Sequence, residues 1–445
     1  MADGMAGAAL PLTHRRVLKV AVPIVLSNAT IPILGAVDTG VVGQLGLAAP
    51  IGAVGIGAIV LSALYWIFGF LRMGTTGLVA QAHGADDAAE SGAILMRALI
   101  IAGVAGAALI LGQALIFAGA FALAPATDEV ETLARAYLRI RIWGAPATIA
   151  IYAVSGWLIA VERTRGVLWL QLWINGLNIG LDLWFVIGLG WGVEGVALAT
   201  LAAEWTGLAF GLWLCRAAFA GHQWRNWPRV FDAARLRRMA QVNGDIMLRS
   251  ILLQASFTSF LFIGAGFGDV TLAANQVLFQ FLNISSYVID GFAFSAETFV
   301  GQAVGRKSVS GVRRAGIITS IWGGGTALAM ALAFWGLGAW IIDLMAKAPE
   351  VQEAARTYLP WLVLAPVIGI ASYMFDGIFI GATRTRAMRV VMAQAAALYA
   401  GALWLLVPAF GNHGLWGALM IFNLARGVLM AMNYRALEQE VACAR

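Results

Sequence analysis

Long apolar segments alternate with short polar connections along the entire chain. Twelve of them approach or exceed the ~20 residues that an α-helix needs to cross the hydrocarbon core of a bilayer. They cover residues 17–43, 49–71, 91–118, 133–157, 167–189, 192–215, 239–265, 271–300, 313–338, 355–380, 390–409 and 414–434. The pattern predicts an all-α polytopic membrane protein with twelve transmembrane helices.

The composition supports this class. The 445 residues are 61% hydrophobic and 12% charged, whereas a soluble domain is about half apolar and about a quarter charged. The net charge of +6 is typical of Lys and Arg in the connections of a membrane protein, so no nucleic-acid partner is expected.

Basic residues predict the orientation. They lie at the start of the first segment and around the connections between segments 4 and 5, 6 and 7, 8 and 9, and 10 and 11. These residues are Arg15, Arg16, Lys19, Arg163, Arg165, Arg225, Arg229, Arg235, Arg237, Arg238, Arg306, Lys307, Arg313, Arg314, Arg384, Arg386 and Arg389. Because cytoplasmic connections are enriched in Lys and Arg, we expect both termini in the cytoplasm, with the chain in the inner (plasma) membrane. The loop 83–90 is acidic, but acidic residues count little in this rule.

The two halves of the chain repeat each other. Three pairs of similar segments keep their order: 77–87 with 298–308, 156–166 with 377–387, and 192–200 with 414–422. Such self-similarity indicates a duplicated unit. Each unit crosses the membrane six times, an even number, so the halves have the same orientation and are related by a pseudo-twofold axis normal to the membrane. Substrate sites commonly lie between such halves.

The repeat also predicts the domain boundaries. We expect an N-terminal six-helix lobe at 1–215 and a C-terminal six-helix lobe at 239–434. The basic segment 216–238 is interpreted as a linker on the cytoplasmic face, and 435–445 as a cytoplasmic tail.

The first segment carries a carboxylate, Asp38, and a proline, Pro23. A charge at membrane depth costs about 2.5–3.5 kcal/mol or more, so such a group usually faces a bundle interior where it binds an ion or a proton. Proline lacks the N–H of a helical hydrogen bond and favours a bend. We therefore predict that Asp38 binds a cation and that Pro23 is a hinge.

Three further oxygen-bearing side chains lie at comparable depth in the same half. Asn178 and Asp182 are four residues apart and share one face of the fifth helix. At 1.5 Å per residue they lie about 16 and 22 Å from its cytoplasmic end. Thr200 lies about 12 Å below the outer end of the sixth helix, which is about 18 Å above the cytoplasmic side of a core about 30 Å thick. Carboxylate, amide and hydroxyl oxygens bind hard cations such as Na⁺, and two nearby carboxylates share a proton readily. Helix packing and interhelical hydrogen bonds are the competing explanations.

Other charged residues also lie at membrane depth. Glu204, one turn from Thr200, is a candidate proton relay or substrate contact, or it pairs with an Arg or a backbone group. In the C-terminal half, Asp245 and Arg249 are spaced to pair with each other. A bridge from Arg249 to Asp290 is the alternative, and structural pairing is favoured for this group.

Several motifs resemble the multidrug and toxic compound extrusion (MATE) family, and in particular its DinF-like branch. They are VDTGVVGQLG (37–46), the turns VAQAHG and VGQAVG, NIGLDLWFVIGLGWGVEGVALAT (178–200) and DGIFIGATRTRAMR (376–389). The resemblance implies two six-helix bundles that form a V, and efflux of organic cations in exchange for H⁺ or Na⁺. It places the cation-coupling site, a possible Na⁺ site, at Asp38, Asn178, Asp182 and Thr200. Asp376 resembles an acid found in the same helix of many members and is, with Glu204, a candidate proton relay or substrate contact.

The expected function is therefore secondary active multidrug efflux without a cofactor, by a monomer that binds small organic cations or drugs within the lipid bilayer. The coupling ion, H⁺ or Na⁺, stays open. The alternative is a flippase of a lipid-linked precursor, which should have a strongly basic cleft. An enzyme is not expected, because no nucleophile triad or Cys/His metal spacing is found.

Overall fold

The computed structural model describes residues 12–44, 48–123, 126–220 and 223–443, and within these ranges it describes the side chains except at 31–36, 38, 39, 123 and 223. The described residues are nearly all helical and contain no strand. The side chain of Asp38, the proposed cation ligand of the first helix, therefore lies outside the described part of the chain.

Twelve helical units follow one another, and each overlaps one of the predicted segments. In chain order they are α1 His14–Gly43, α2 Ala48–Gly84, α3 Ala88–Leu111, α4 Asp128–Ala160, α5 Thr164–Gly188, α6 Gly192–Leu214, α7 Ala233–Ala265, α8 Asp269–Gly305, α9 Val309–Met345, α10 Pro349–Gly381, α11 Thr385–Phe410 and α12 Asn412–Cys443. Within the described residues, the eleven from α2 to α12 are long and apolar enough to cross a membrane. A short apolar helix, Gln113–Leu123, continues α3.

The connection between the halves is shorter than predicted. Short helical turns at Arg216–Phe219, Gln223–Arg225 and Trp227–Val230 precede α7, which begins at Ala233. The Asp232 carboxylate accepts a hydrogen bond from the Arg235 N–H at 2.9 Å and so caps α7, as Asp commonly does. At the other end, α12 continues through most of the predicted tail to Cys443.

The two lobes meet in a common core. Val17, Val20 and Ile24 of α1 lie in one buried apolar cluster with Val300 of α8 and Ile378 of α10. These positions are near the helix ends that carry the basic connections, which we call the basic side. Separate apolar clusters fill each lobe. The lobes are therefore held together mainly toward the basic side.

Two glycines make this approach possible. Gly84 of α2 lies against the backbone of Gln302, and Gly305 of α8 lies against the carbonyl of Gln81. A Cβ atom at either position would overlap the opposite backbone. These are the VAQAHG and VGQAVG turns of the sequence repeat, so the duplicated motif lies where the two lobes touch.

Candidate functional site

The N-terminal lobe holds a polar cluster between α5 and α6. Asn178 and Asp182 are completely buried. The Asn178 amide donates a hydrogen bond to the Thr200 hydroxyl at 3.1 Å, and that hydroxyl donates to the Val196 carbonyl at 3.0 Å. The Asn178 Oδ1 atom has no hydrogen-bond partner among the described residues. The structure thus joins Asn178 to Thr200 and leaves one amide oxygen, which is a strong acceptor, available inside the lobe.

Asp182 lies at a change of helix type. The α-helical part of α5 ends at Asp182, and the wider π-helical turn Leu183–Gly188 follows. Gly190 (φ 69°) and Gly192 (φ 57°) then reverse the chain into α6, a conformation that glycine adopts at little cost. Short π-helical turns are common at functional sites because they reorient the neighbouring side chains. This turn brings α6 back beside the Asn178–Asp182 face of α5.

The first helix contacts this region through its backbone. The Asn175 amide of α5 donates to the Thr30 carbonyl of α1 at 3.4 Å. Asn175 is one turn before Asn178 on the same helix face. The proposed ligands of α5 are therefore on the side of the helix that faces α1, which also carries Asp38.

Pro23 frees one carbonyl of α1, and the structure supplies a donor for it. Proline has no N–H, so the carbonyl four residues earlier, that of Lys19, has no helical partner. The Thr164 hydroxyl, at the start of α5, donates to this Lys19 carbonyl at 3.3 Å. Thr164 is buried. The predicted hinge is therefore tied to α5 by a side chain that replaces the missing helical hydrogen bond.

Glu204 is held by an arginine. The Arg141 guanidinium of α4 donates to both oxygens of the Glu204 carboxylate, at 2.7 and 2.9 Å, and both side chains are buried. The absence of a Cβ atom at Gly144 leaves room for the Glu204 carboxylate. Pairing with an Arg is the alternative that the sequence left open for this residue, beside the relay role.

A cavity of about 350 Å³ lies between the lobes. Its lining contains three arginines and three carboxylates: Arg72, Arg249, Arg426, Asp290, Glu297 and Asp376. Arg72 of α2 pairs with Glu297 of α8 at 3.2 Å and stacks over the Phe294 ring, with 3.7 Å from Cζ to the ring centre. Polar groups from both lobes thus meet in one buried space.

Two arginines donate hydrogen bonds to the Asp376 carboxylate. Its Oδ2 atom accepts a hydrogen bond from Arg426 at 2.6 Å and another from Arg249. The expected pairing of Arg249 with Asp245 or Asp290 is therefore wrong. Asp245 instead pairs with Arg389 at 2.7 Å, because it lies on the basic side of α7, near the start of α11.

Asp290 has a different environment from the other two acids of this cavity. It lines the cavity beside Tyr373, whose hydroxyl lies 2.5 Å from the Ser286 hydroxyl. Asp290 forms no ion pair with the described residues, in contrast to Glu297 and Asp376. The cavity therefore presents one carboxylate that no described arginine neutralises by direct contact.

Comparisons with known proteins agree with this architecture. The MatE family model matches residues 23–184 and 246–401. This chain belongs to the MatE family. It is 38% identical to DNA damage-inducible protein F of Escherichia coli (strain K12), over 96% of this chain and 93% of the relative. It is 26% identical to a probable multidrug resistance protein NorM of Bradyrhizobium diazoefficiens, over 95% and 93% of the two chains.

A solved MatE-type structure shows the same fold. The Vibrio cholerae MATE transporter VcmN in the bent form has a TM-score of 0.87 and 19% sequence identity, over 96% of this chain and 97% of that one. The predicted all-α arrangement of two six-helix bundles is confirmed. As a MatE family member with many apolar helices, the chain is a multi-pass transporter of the inner membrane and not an enzyme.

Five partners in these sites were not predicted from the sequence. They are Arg72, Arg141, Thr164, Asn175 and Arg426. Arg426 and Arg141 lie in the middle of long helices, and a charge at that depth is itself a signal of a buried partner. The carbonyl that Pro23 leaves free signals that some donor is needed there, but the sequence does not show that Thr164 supplies it.

Proposed function

We propose that this transporter exports small organic cations and drugs in exchange for H⁺ or Na⁺, as a monomer. Membership of the MatE family supports multidrug efflux by antiport, and its members are ion-coupled. The observation that carries the ion-coupling part is the Asn178–Thr200 hydrogen bond, one turn from the fully buried Asp182. A buried amide oxygen and a buried carboxylate are ligands suited to a hard cation or a proton.

The coupling ion would bind at Asp38, Asn178, Asp182 and Thr200. The free Asn178 Oδ1 atom supports this assignment, since a buried acceptor without a partner carries a desolvation cost that a cation would remove. Binding would change the packing of α1 against α5, and Pro23 is where α1 would bend. The exchange requires that the ion bind one conformation more tightly than the other.

The cavity between the lobes is the proposed substrate site. Asp290 would attract the positive charge of an organic cation, and Trp66 and Phe257, which line the same cavity, offer aromatic faces. Asp376 is proposed to hold Arg249 and Arg426 in place rather than to contact substrate directly. Glu204 is proposed to position α6 through Arg141, and its relay role stays the alternative.

With the basic side in the cytoplasm, as the distribution of Lys and Arg favours, the lobes are packed together at their cytoplasmic ends. Arg16 of α1, Glu162 of the α4–α5 connection and Gln302 of α8 form a polar contact there. We propose that this contact opens when the transporter loads substrate from the cytoplasm.

The flippase alternative is not favoured. It calls for a strongly basic cleft, whereas the lining of the central cavity carries as many carboxylates as arginines. Such a balanced site suits small charged compounds better than a polyanionic lipid precursor.

The test is efflux from proteoliposomes that contain the purified protein. A pH gradient and a Na⁺ gradient are imposed one at a time, and the loss of a fluorescent organic cation is followed. We expect one of the two gradients to drive efflux above the level seen with liposomes that contain no protein. Efflux that neither gradient drives would contradict the proposal.

A further inference from the structure

A second cavity lies on the basic side, between the beginnings of α1 and α5, with a volume of about 730 Å³. Four of the residues that line it are cationic: Arg15, Arg16, Lys19 and Arg165. No carboxylate is among its described lining residues. Neither the family membership nor the proposed transport cycle gives this cavity a role.

The cations come from two helices that are held together at this point. The Thr164 hydroxyl donates a hydrogen bond to the Lys19 carbonyl. The next residue, Arg165, therefore lies beside the turn of α1 that contains Lys19. Arg16 is already engaged by Glu162. Arg15, Lys19 and Arg165 are exposed and form no ion pair with a described carboxylate. The cavity therefore concentrates three positive charges that no described carboxylate neutralises by direct contact.

The general excess of Lys and Arg on this side does not explain the cluster. Two other cavities on the basic side also contain several arginines, but each contains carboxylates as well: Asp87 and Glu90 in one, Asp245 and Glu440 in the other. In the first, the lining residues Arg97 and Glu90 pair at 2.8 Å. The α1–α5 cavity differs because its described lining lacks such counter-charges.

The surroundings of the cavity are those of a membrane interface. Val22, in its wall, is 45% exposed, and Leu26, one turn further along α1, is 52% exposed. Trp169 and Trp213 line the adjoining cavity, which shares Lys19 and Arg165. Exposed indoles are enriched at the level of lipid headgroups, with apolar side chains deeper in the bilayer. The cations thus lie at headgroup level, directly above a lipid-facing apolar strip.

We propose that this cavity binds the phosphate headgroup of an anionic phospholipid, with the acyl chains along Val22 and Leu26. Arg15, Lys19 and Arg165 would contact the phosphate, as basic pockets between membrane helices do. Pro23 lines the same cavity, so the bound lipid would touch the proposed hinge of α1. The binding itself does not depend on the proposed transport function.

The test is native mass spectrometry of the full-length, delipidated protein in detergent, titrated with phosphatidylglycerol or with phosphatidylcholine. The variant is Lys19→Gln/Arg165→Gln. The matched control is Arg237→Gln/Arg435→Gln, which removes two exposed charges of the chain outside this cavity. We expect the first variant to bind phosphatidylglycerol roughly tenfold more weakly, and the control to bind it as the wild type does.

Three outcomes would overturn the proposal. One is equal weakening in both variants, which would indicate only a general effect of net charge. The second is equal wild-type affinity for phosphatidylcholine, which would show that negative charge is not recognised. The third is complete displacement of phosphatidylglycerol by millimolar inorganic phosphate, which would indicate a free-phosphate site. Thermal unfolding of each variant verifies that it is folded.

Discussion

Arg141 and Glu204 form a bidentate ion pair, with N–O distances of 2.7 and 2.9 Å, inside the N-terminal lobe. It joins α4 to α6 one turn from Thr200, so it fixes the rotation of the helix that carries one proposed ion ligand. Buried pairs are sensitive to the loss of one partner, because the remaining charge is left without compensation.

We therefore expect Glu204→Gln to lower the free energy of unfolding by about 3–5 kcal/mol, measured by thermal unfolding in detergent. The double variant Arg141→Leu/Glu204→Leu should recover most of this loss, since a buried pair can often be replaced by apolar side chains. If Glu204 only positions α6, the double variant keeps gradient-driven efflux. A folded double variant that loses ΔpH-driven efflux would instead support the relay role.

The Thr164–Lys19 hydrogen bond gives a second prediction. Thr164→Val should destabilise the protein by about 1–3 kcal/mol, because the Lys19 carbonyl loses its donor. In a Pro23→Ala background the same change should cost clearly less, since an alanine at position 23 supplies the helical N–H. Thermal unfolding of the wild type, the two single variants and the double variant gives a double-mutant cycle. Additive effects would show that Thr164 does not compensate for Pro23.

Asp290 gives a prediction about substrate charge. Asp290→Asn removes the cavity carboxylate that has no arginine partner among the described residues. We expect the apparent affinity for a cationic substrate to fall about tenfold, equivalent to ~1.4 kcal/mol, with little change for an uncharged one. Asp269→Asn, the same chemical change at the exposed start of α8, is the control. An equal loss for both substrates would argue against a charge contact.

The polar contact of Glu162 with Arg16 and Gln302 predicts that the stability of the protein depends on pH. Burial alone would raise the pKa of Glu162, but hydrogen bonds from Arg16 and Gln302 outweigh it and hold the pKa below its ordinary value of 4.5. A lowered carboxylate pKa stabilises the folded protein above the ordinary value, and this stabilisation is lost as the pH falls through the lower, folded value.

Glu162→Gln should therefore destabilise the protein by about 1–2 kcal/mol at pH 7. The difference from wild type should shrink as the pH falls below 4.5. Thermal unfolding over this pH range measures it. Glu440→Gln, in the exposed pair with Arg384, is the control and should have a small effect at every pH. A difference that stays constant with pH would contradict this account of Glu162.

The sequence predicted the helices well, because each long apolar segment has only one way to satisfy its backbone in a bilayer. It also predicted that Asn178 and Thr200 come together, since both depths follow from counting residues. It did not predict which arginine meets which carboxylate. The pairing of Arg249 with Asp376 depends on how each long helix is rotated, and rotation is set by side-chain packing rather than by depth.

Local departures from regular helix geometry could not be predicted from the sequence either. The π-helical turn after Asp182 has no composition signal of its own, and it changes which side chains face α6. The carbonyl freed by Pro23 was foreseeable, but its donor, Thr164, comes from another helix. Contacts of this kind follow from tertiary packing alone.

The central claim is that the acids of the N-terminal lobe couple export to an ion gradient. Its most direct test is gradient-driven efflux by Asp38→Asn and Asp182→Asn in proteoliposomes, with Asp343→Asn, in an exposed ion pair, as the control. We predict that both N-lobe variants insert normally and still bind substrate but fall to the efflux of empty liposomes, while the control exports normally. Normal gradient-driven export by Asp38→Asn or Asp182→Asn would contradict the account.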